Sequence, residues 1–142
     1  MPNFNLDEKD EKILNILKED GRASFVKIGK LVGLSEAAVR RRIQNLIKRG
    51  VIKRFTAEVD VGRGVNAISL ISVAPSTPTH DVSEKLRNLK GVEVVYEITG
   101  QYDIAVIISA PNIAEINKCI DDIRKVNGVA NTNSIIILRV LR

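Results

Sequence analysis

The chain of 142 residues predicts an α+β fold in two units, three helices followed by a β-α-β-β-α-β order. Three observations predict it. Between Arg22 and Arg54 the chain holds ten bases against one acid, Glu36, on two short helical patterns joined by Val32-Gly33-Leu34-Ser35. The charge is one-sided: residues 1–64 carry 14 Lys/Arg and 9 Asp/Glu, residues 65–142 carry 8 and 8, and the whole formal +5 lies in the first part. The apolar period then changes, from helical before Gly50 to strands alternating with helices after Gly64.

The first helix follows Leu6-Asp7. Acids crowd its first turn, where the helix dipole favours them, and Ile13, Leu14, Ile16 and Leu17 have helical spacing until Asp20-Gly21. Ser24 is placed to cap the second helix, with Ile28 and Leu31 inward and Gly33 at its end. Ser35 caps the third, which runs to about Arg49 before Gly50. Residues 51–60 are β-rich and near-alternating, the pattern of a wing after a helix-turn-helix. Beyond Gly62-Arg63-Gly64, a linker or hinge, the predicted elements are strands over 67–74, 92–99, 104–110 and 129–141, and helices over 79–89 and 112–125. The prediction is therefore a winged helix-turn-helix over 1–61 and a ferredoxin-like β-α-β-β-α-β unit over 65–142.

Composition narrows the classes. One Cys and one His cannot assemble a tetrahedral metal site, and neither metal nor cofactor is expected. No long apolar run predicts a membrane span, no leader is evident in the first residues, and a cytoplasmic location is expected. Thr79, His80, Asp81 and Ser83 sit together at a helix start, where they read as caps rather than a catalytic triad, so no enzyme is predicted. Two strands, Ala105–Ile108 and Ile135–Leu138, are apolar on both faces. Helices cover only one face of such a sheet, which implies a homodimer packed sheet to sheet.

A compact basic helix-turn-helix is the electrostatic footprint of a protein that binds double-stranded DNA. With Val39, Ile43 and Leu46 inward on the third helix, Ala37, Arg41, Gln44 and Lys48 point outward, and Arg40, Arg42 and Asn45 flank them. Arg forks onto guanine and Gln onto adenine, Ser35 and the first-turn amides suit phosphate, and Arg54 extends the basic surface into the wing. An architectural DNA-compacting protein with little sequence preference is the alternative reading.

The chain resembles the leucine-responsive regulatory protein/AsnC, or feast/famine, family of transcription regulators. The resemblance rests on Leu6–Leu14, Gly33-Leu34-Ser35, Arg42–Leu46, Gly50-Val51-Ile52, Gly91-Val92, Gly100-Gln101-Tyr102-Asp103 and Gly128–Ser134. It implies regulation of amino-acid metabolism by an amino-acid effector, and dimers that assemble into tetramers or octamers. It also implies an effector site where the Gly100–Asp103 turn meets a neighbouring dimer. In that site Gly100 permits close approach and Tyr102 forms a wall. Asp103 would pair with an α-ammonium, while Thr132 and Ser134 would bond an α-carboxylate. Asp121 and Asp122 fall off an apolar stripe of Ile113, Ile116, Ile120 and Ile123. Asp122 beside the same pocket would favour lysine or arginine, as in archaeal lysine-responsive members that the chain resembles. Gln101 departs from the small or acidic residue usual at that point of the turn.

Overall fold

A computed structural model describes residues 4–60 and 62–141. The predicted unit ends at 61 and 142, and residues 1–3, lie outside the described residues. The chain divides into two compact units, Met1–Val59 and Asp60–Arg142.

In the first unit, each helix begins on a side chain that satisfies an otherwise orphaned amide. Asp7 Oδ1 accepts from Asp10 N at 2.8 Å at the start of α1 (Glu8–Glu19). Ser24 Oγ accepts from Lys27 N at 3.1 Å for α2 (Phe25–Val32), and Ser35 Oγ from Ala38 N at 3.2 Å for α3 (Glu36–Lys48). Ile13, Ile28, Val32, Val39 and Ile43 close the core. The inward side of α2 departs from expectation: Leu31 is 62% exposed, and Gly29 and Val32 are buried with Ile28 instead. A Cβ on Gly29 would overlap the Leu34 carbonyl oxygen, so the turn presses on α2 at that point and sets which face is buried.

The wing expected over 51–60 does not form a strand in the protomer. Val51 and Ile52 donate to the Leu46 carbonyl at 2.9 and 3.2 Å, closing the end of α3, and the residues that follow have no ladder partner among the described residues. One β-rich segment without a second cannot satisfy a ladder.

The second unit runs β1 (Val65–Val73), α4 (Thr79–Leu86), β2 (Val92–Glu97), β3 (Ile104–Ala110), α5 (Ile113–Lys125) and β4 (Val129–Ile136). The four antiparallel strands lie in the order β2-β3-β1-β4. Ala67, Ile71, Ile104, Val106 and Ile108 meet Val82 and Leu86 of α4 and Ile116, Cys119, Ile120 and Ile123 of α5 in one core. Cys119 takes the place expected for Ile113, which is 55% exposed on the first turn. Strand β4 stops short of the expected Leu141: Ala67 pairs with Ile136, Ile137 N reaches Asn66 O, and β1 offers little beyond. The expected side-chain caps of α4 are also absent. Pro78 is its N-cap without a side-chain bond, and Ser83 Oγ is buried with no partner among the described residues. His80 Nδ1 lies 3.1 Å from Glu97 Oε1 on the surface, away from Ser83's buried hydroxyl.

Strand register assigns the face away from the helices. Ile68 lies opposite Ile107 and Ile135, Leu70 opposite Ala105 and Asn133, and Tyr96 opposite Ala105. That face is predominantly apolar, with Val94 39%, Tyr96 53% and Ile135 49% exposed.

Candidate nucleic-acid interface and effector site

The α3 surface sorts its cations by what holds them. Val39, Ile43 and Leu46 are buried as the helical spacing requires. Ala37, Arg41, Gln44 and Lys48 are exposed, and the side chains of Arg41, Gln44 and Lys48 have no hydrogen-bond or ion-pair partner among the described residues. These side chains are available to base edges and phosphates. Ser35 is exposed; its oxygen accepts the α3 cap bond, which leaves its O–H to donate. Arg54 is exposed in the segment after α3.

The other two members of the arginine triplet are held within the unit. Arg40 Nη2 lies 3.0 Å from Glu36 Oε1, and its guanidinium stacks 5.2 Å from the centroid of Phe25. Arg42 Nη1 bridges Asp7 Oδ2 at 2.7 Å and Asp10 Oδ1 at 2.9 Å, with 28% of its side chain exposed. The Asp10 backbone N–H and Arg42 together hold the Asp7 carboxyl below the usual carboxylate range, and both carboxylates raise the Arg42 pKa. Arg49 Nη2 donates to the Asn5 carbonyl at 2.8 Å, and Lys9 Nζ donates to the Val32 carbonyl at the end of α2. The local charge counted along the sequence thus overstates what faces outward. Arg42 clamps α3 to the start of α1, across 32 to 35 positions of chain, and no local pattern announces that pairing.

In the second unit the turn between β2 and β3 is closed by Ile98 N donating to Asp103 O at 2.9 Å. Gly100, at its exposed tip, has φ 115°, and a Cβ there would meet nothing within 4 Å. The Asp103 carboxylate has a structural duty that was not foreseen: Oδ2 accepts from Val73 N at 2.8 Å, where the β1–β4 register shifts. Tyr102 Oη accepts from Asn133 Nδ2 at 3.3 Å. Asn133 was missed in the sequence, although it alternates with the two candidates Thr132 and Ser134. Those two point to the helix side of the sheet: Thr132 Oγ1 accepts from Arg124 Nε at 3.3 Å, and Ser134 Oγ pairs with Ser69 Oγ at 3.0 Å. Asp122 is exposed on α5 with Lys125 Nζ at 3.9 Å. The candidate effector residues therefore divide between the two faces of the sheet, and a single protomer does not gather them into one cavity.

A three-helix unit with a solvent-facing basic helix, joined to a β-α-β-β-α-β unit, defines a class: transcription regulators that pair a DNA-binding domain with a ligand-binding domain. Residues 6–47 match the AsnC-type helix-turn-helix domain and residues 66–142 the Lrp/AsnC ligand binding domain. The chain belongs to the Lrp/AsnC family of transcription regulators, and it is a regulator rather than an enzyme. It is 50% identical over 139 residues to the HTH-type transcriptional regulator LysM of Saccharolobus solfataricus, covering 98% of each chain. It is 38% identical over 138 residues to the HTH-type transcriptional regulator FL11 of Pyrococcus furiosus, covering 95% of this chain and 91% of that one. Among solved structures, the feast or famine regulatory protein Rv3291c from M. tuberculosis, complexed with L-methionine, is similar at TM-score 0.87. It is 28% identical, covering 96% of this chain and 95% of that one. Among the described residues no helix is long and apolar enough to cross a membrane.

Proposed function

We propose that the chain is a sequence-specific regulator of amino-acid metabolism whose DNA affinity is set by a bound amino acid. The observation that carries the DNA half is the unpartnered Arg41, Gln44 and Lys48 face of α3, beside arginines already committed to neighbours. In this reading residues 1–61 bind DNA through Ser35, Ala37, Arg41, Gln44, Lys48 and Arg54, with Arg40 meeting phosphate through the guanidinium N–H groups that its bond to Glu36 leaves over. Residues 65–142 bind the effector and join protomers into dimers and larger closed assemblies.

The effector half rests on the Gly100–Asp103 turn. The tip is open at Gly100 and walled by Tyr102, and one Asp103 carboxylate oxygen remains for an ammonium. The division of candidate residues between two faces favours a site completed by a second protomer. L-methionine in the mycobacterial relative supports an amino acid as ligand class. Lysine and arginine are the first candidates here, through Asp122. To regulate, the ligand must bind one assembly state more tightly than another, because equal affinity shifts nothing.

The test is a titration of DNA selected from a random pool, with each of the twenty amino acids, against wild type and Asp103→Asn. Asparagine keeps an acceptor for Val73 N while removing the charge. The expected result is a response by wild type, lost in Asp103→Asn, with effector-free DNA binding nearly unchanged. A full response by the variant moves the pocket elsewhere. Footprints indifferent to DNA sequence would favour the architectural alternative. In the same assay Arg41→Ala is expected to weaken the selected site by about 1–3 kcal/mol and to relax one base pair.

A further inference from the structure

Glu36 stands alone as an acid among the ten bases between Arg22 and Arg54, and it is the first residue of α3. Its side chain is 51% exposed, and its Oε1 is held 3.0 Å from Arg40 Nη2. Arg40 is fixed in turn by Phe25 of α2, whose ring lies 5.2 Å below the guanidinium. At 100° per residue Glu36 and Arg40 share the flank of α3 that meets the start of α2, while Arg41 and Lys48 point straight out. Glu36 is therefore a carboxylate in a set position at the amino end of the helix that the proposed function places on DNA.

That end of a recognition helix is the part that reaches base edges. A carboxylate there repels phosphate on every DNA sequence. The repulsion is offset only where a base presents a donor, and in the major groove those donors are the exocyclic amino groups, cytosine N4 and adenine N6. An ordinary surface ion pair also accounts for a Glu and an Arg four residues apart, and such a pair contributes little to stability. The two roles separate on DNA, because a purely structural pair has no influence on which base is preferred.

We infer that Glu36 is a specificity-determining residue: it accepts a hydrogen bond from an exocyclic amino group in the major groove, with Arg40 and Phe25 fixing where its carboxylate points. The charge works in two directions. It anchors the helix on a matched base pair and penalises backbone-only binding elsewhere. This inference rests on the sequence-specific DNA reading above and adds a base-reading acid to the basic residues assigned there.

The experiment selects double-stranded sites from a random pool with the full chain, as wild type, Glu36→Ala and Glu36→Met. Affinity is then measured for the wild-type selected site and for random-sequence DNA at several salt concentrations. The expected result is that wild type requires a C or A at one position and that Glu36→Ala relaxes it by roughly 5- to 100-fold, the discrimination of one good base contact. Random DNA should bind both variants about two- to fivefold more tightly, the scale of one exposed charge interaction. Melting temperatures without DNA are measured alongside, and Glu36→Met, of similar length but with no oxygen acceptor, serves if Glu36→Ala loses its fold. Unchanged base preference in a folded variant overturns the role of Glu36 while leaving sequence-specific binding intact. A pool in which wild type selects no sequence overturns the specific-binding reading itself.

Discussion

Arg42 shows how one side chain in a basic run acquires a purpose different from its neighbours'. The Asp10 carboxylate it meets is only 11% exposed, so removing the guanidinium would leave a nearly dry acid without its charge partner. Arg42→Ala is expected to lower unfolding stability by about 1–3 kcal/mol in urea. Folded at low denaturant, it should keep the base preferences of wild type. Loss of base preference without loss of stability would return Arg42 to the DNA face. The same bridge predicts an acid dependence. The Asp10 backbone N–H and Arg42 favour the ionised Asp7, so its folded pKa lies below its unfolded one. The stabilisation is therefore complete above about pH 4, the ordinary range, and is lost as pH falls through the depressed value. Urea midpoints measured from pH 6 down to pH 2 should fall less steeply in Arg42→Ala than in wild type. Parallel curves would remove Arg42 from the acid response.

At the scale of elements, the turn between α2 and α3 is the joint on which the DNA face depends. Gly33 and Leu34 N–H groups both donate to the Gly29 carbonyl, at 2.8 and 2.9 Å, and the chain passes so close to Gly29 that a methyl has no room. Gly29→Ala should destabilise the first unit by about 2 kcal/mol or more, since the obstacle is backbone, which cannot rotate aside. Chemical denaturation followed by DNA titration checks this. A stable variant with normal DNA affinity would show that α2 and the turn can separate freely. Ser35 and Ser24 were legible as caps because capping is local chemistry, as were the buried Val39, Ile43 and Leu46. Leu31 was misplaced because helical spacing defines a face only to within about one residue's rotation, and the contact at Gly29 made the choice. The segment over 51–60 has β composition but joins no sheet among the described residues, and propensity alone does not build a ladder.

For the whole molecule, the sheet face formed by Ile68, Leu70, Val94, Ala105, Ile107 and Ile135 is the part a protomer leaves uncovered. A contiguous apolar face of this kind marks an association surface. The proposed homodimer predicts that the full chain sediments as a dimer or larger at micromolar concentration. It also predicts that Ile107→Asp, which places a charge in the middle of that face, shifts the protein to monomer while leaving its helical content unchanged. A variant that remains dimeric would place the interface elsewhere.

The caps of α1, α2, α3 and α5, the alternation of strands and helices after Gly64 and the charge asymmetry were all written in the sequence. Each depends on spacing or on neighbours a few positions apart, which a linear chain displays directly. Tertiary structure alone decided that Arg42 is drawn to Asp7 and Asp10 and Arg40 onto Phe25, whereas the side chains of Arg41, Gln44 and Lys48 are left open. It also decided that Asp103 holds Val73 and that Thr132 and Ser134 lie across the sheet from Asn133. The Arg42–Asp7, Asp103–Val73 and Asn133–Tyr102 bonds join residues 30 to 35 positions apart at 2.7–3.3 Å, and a hydrogen bond or ion pair exists only at such distances.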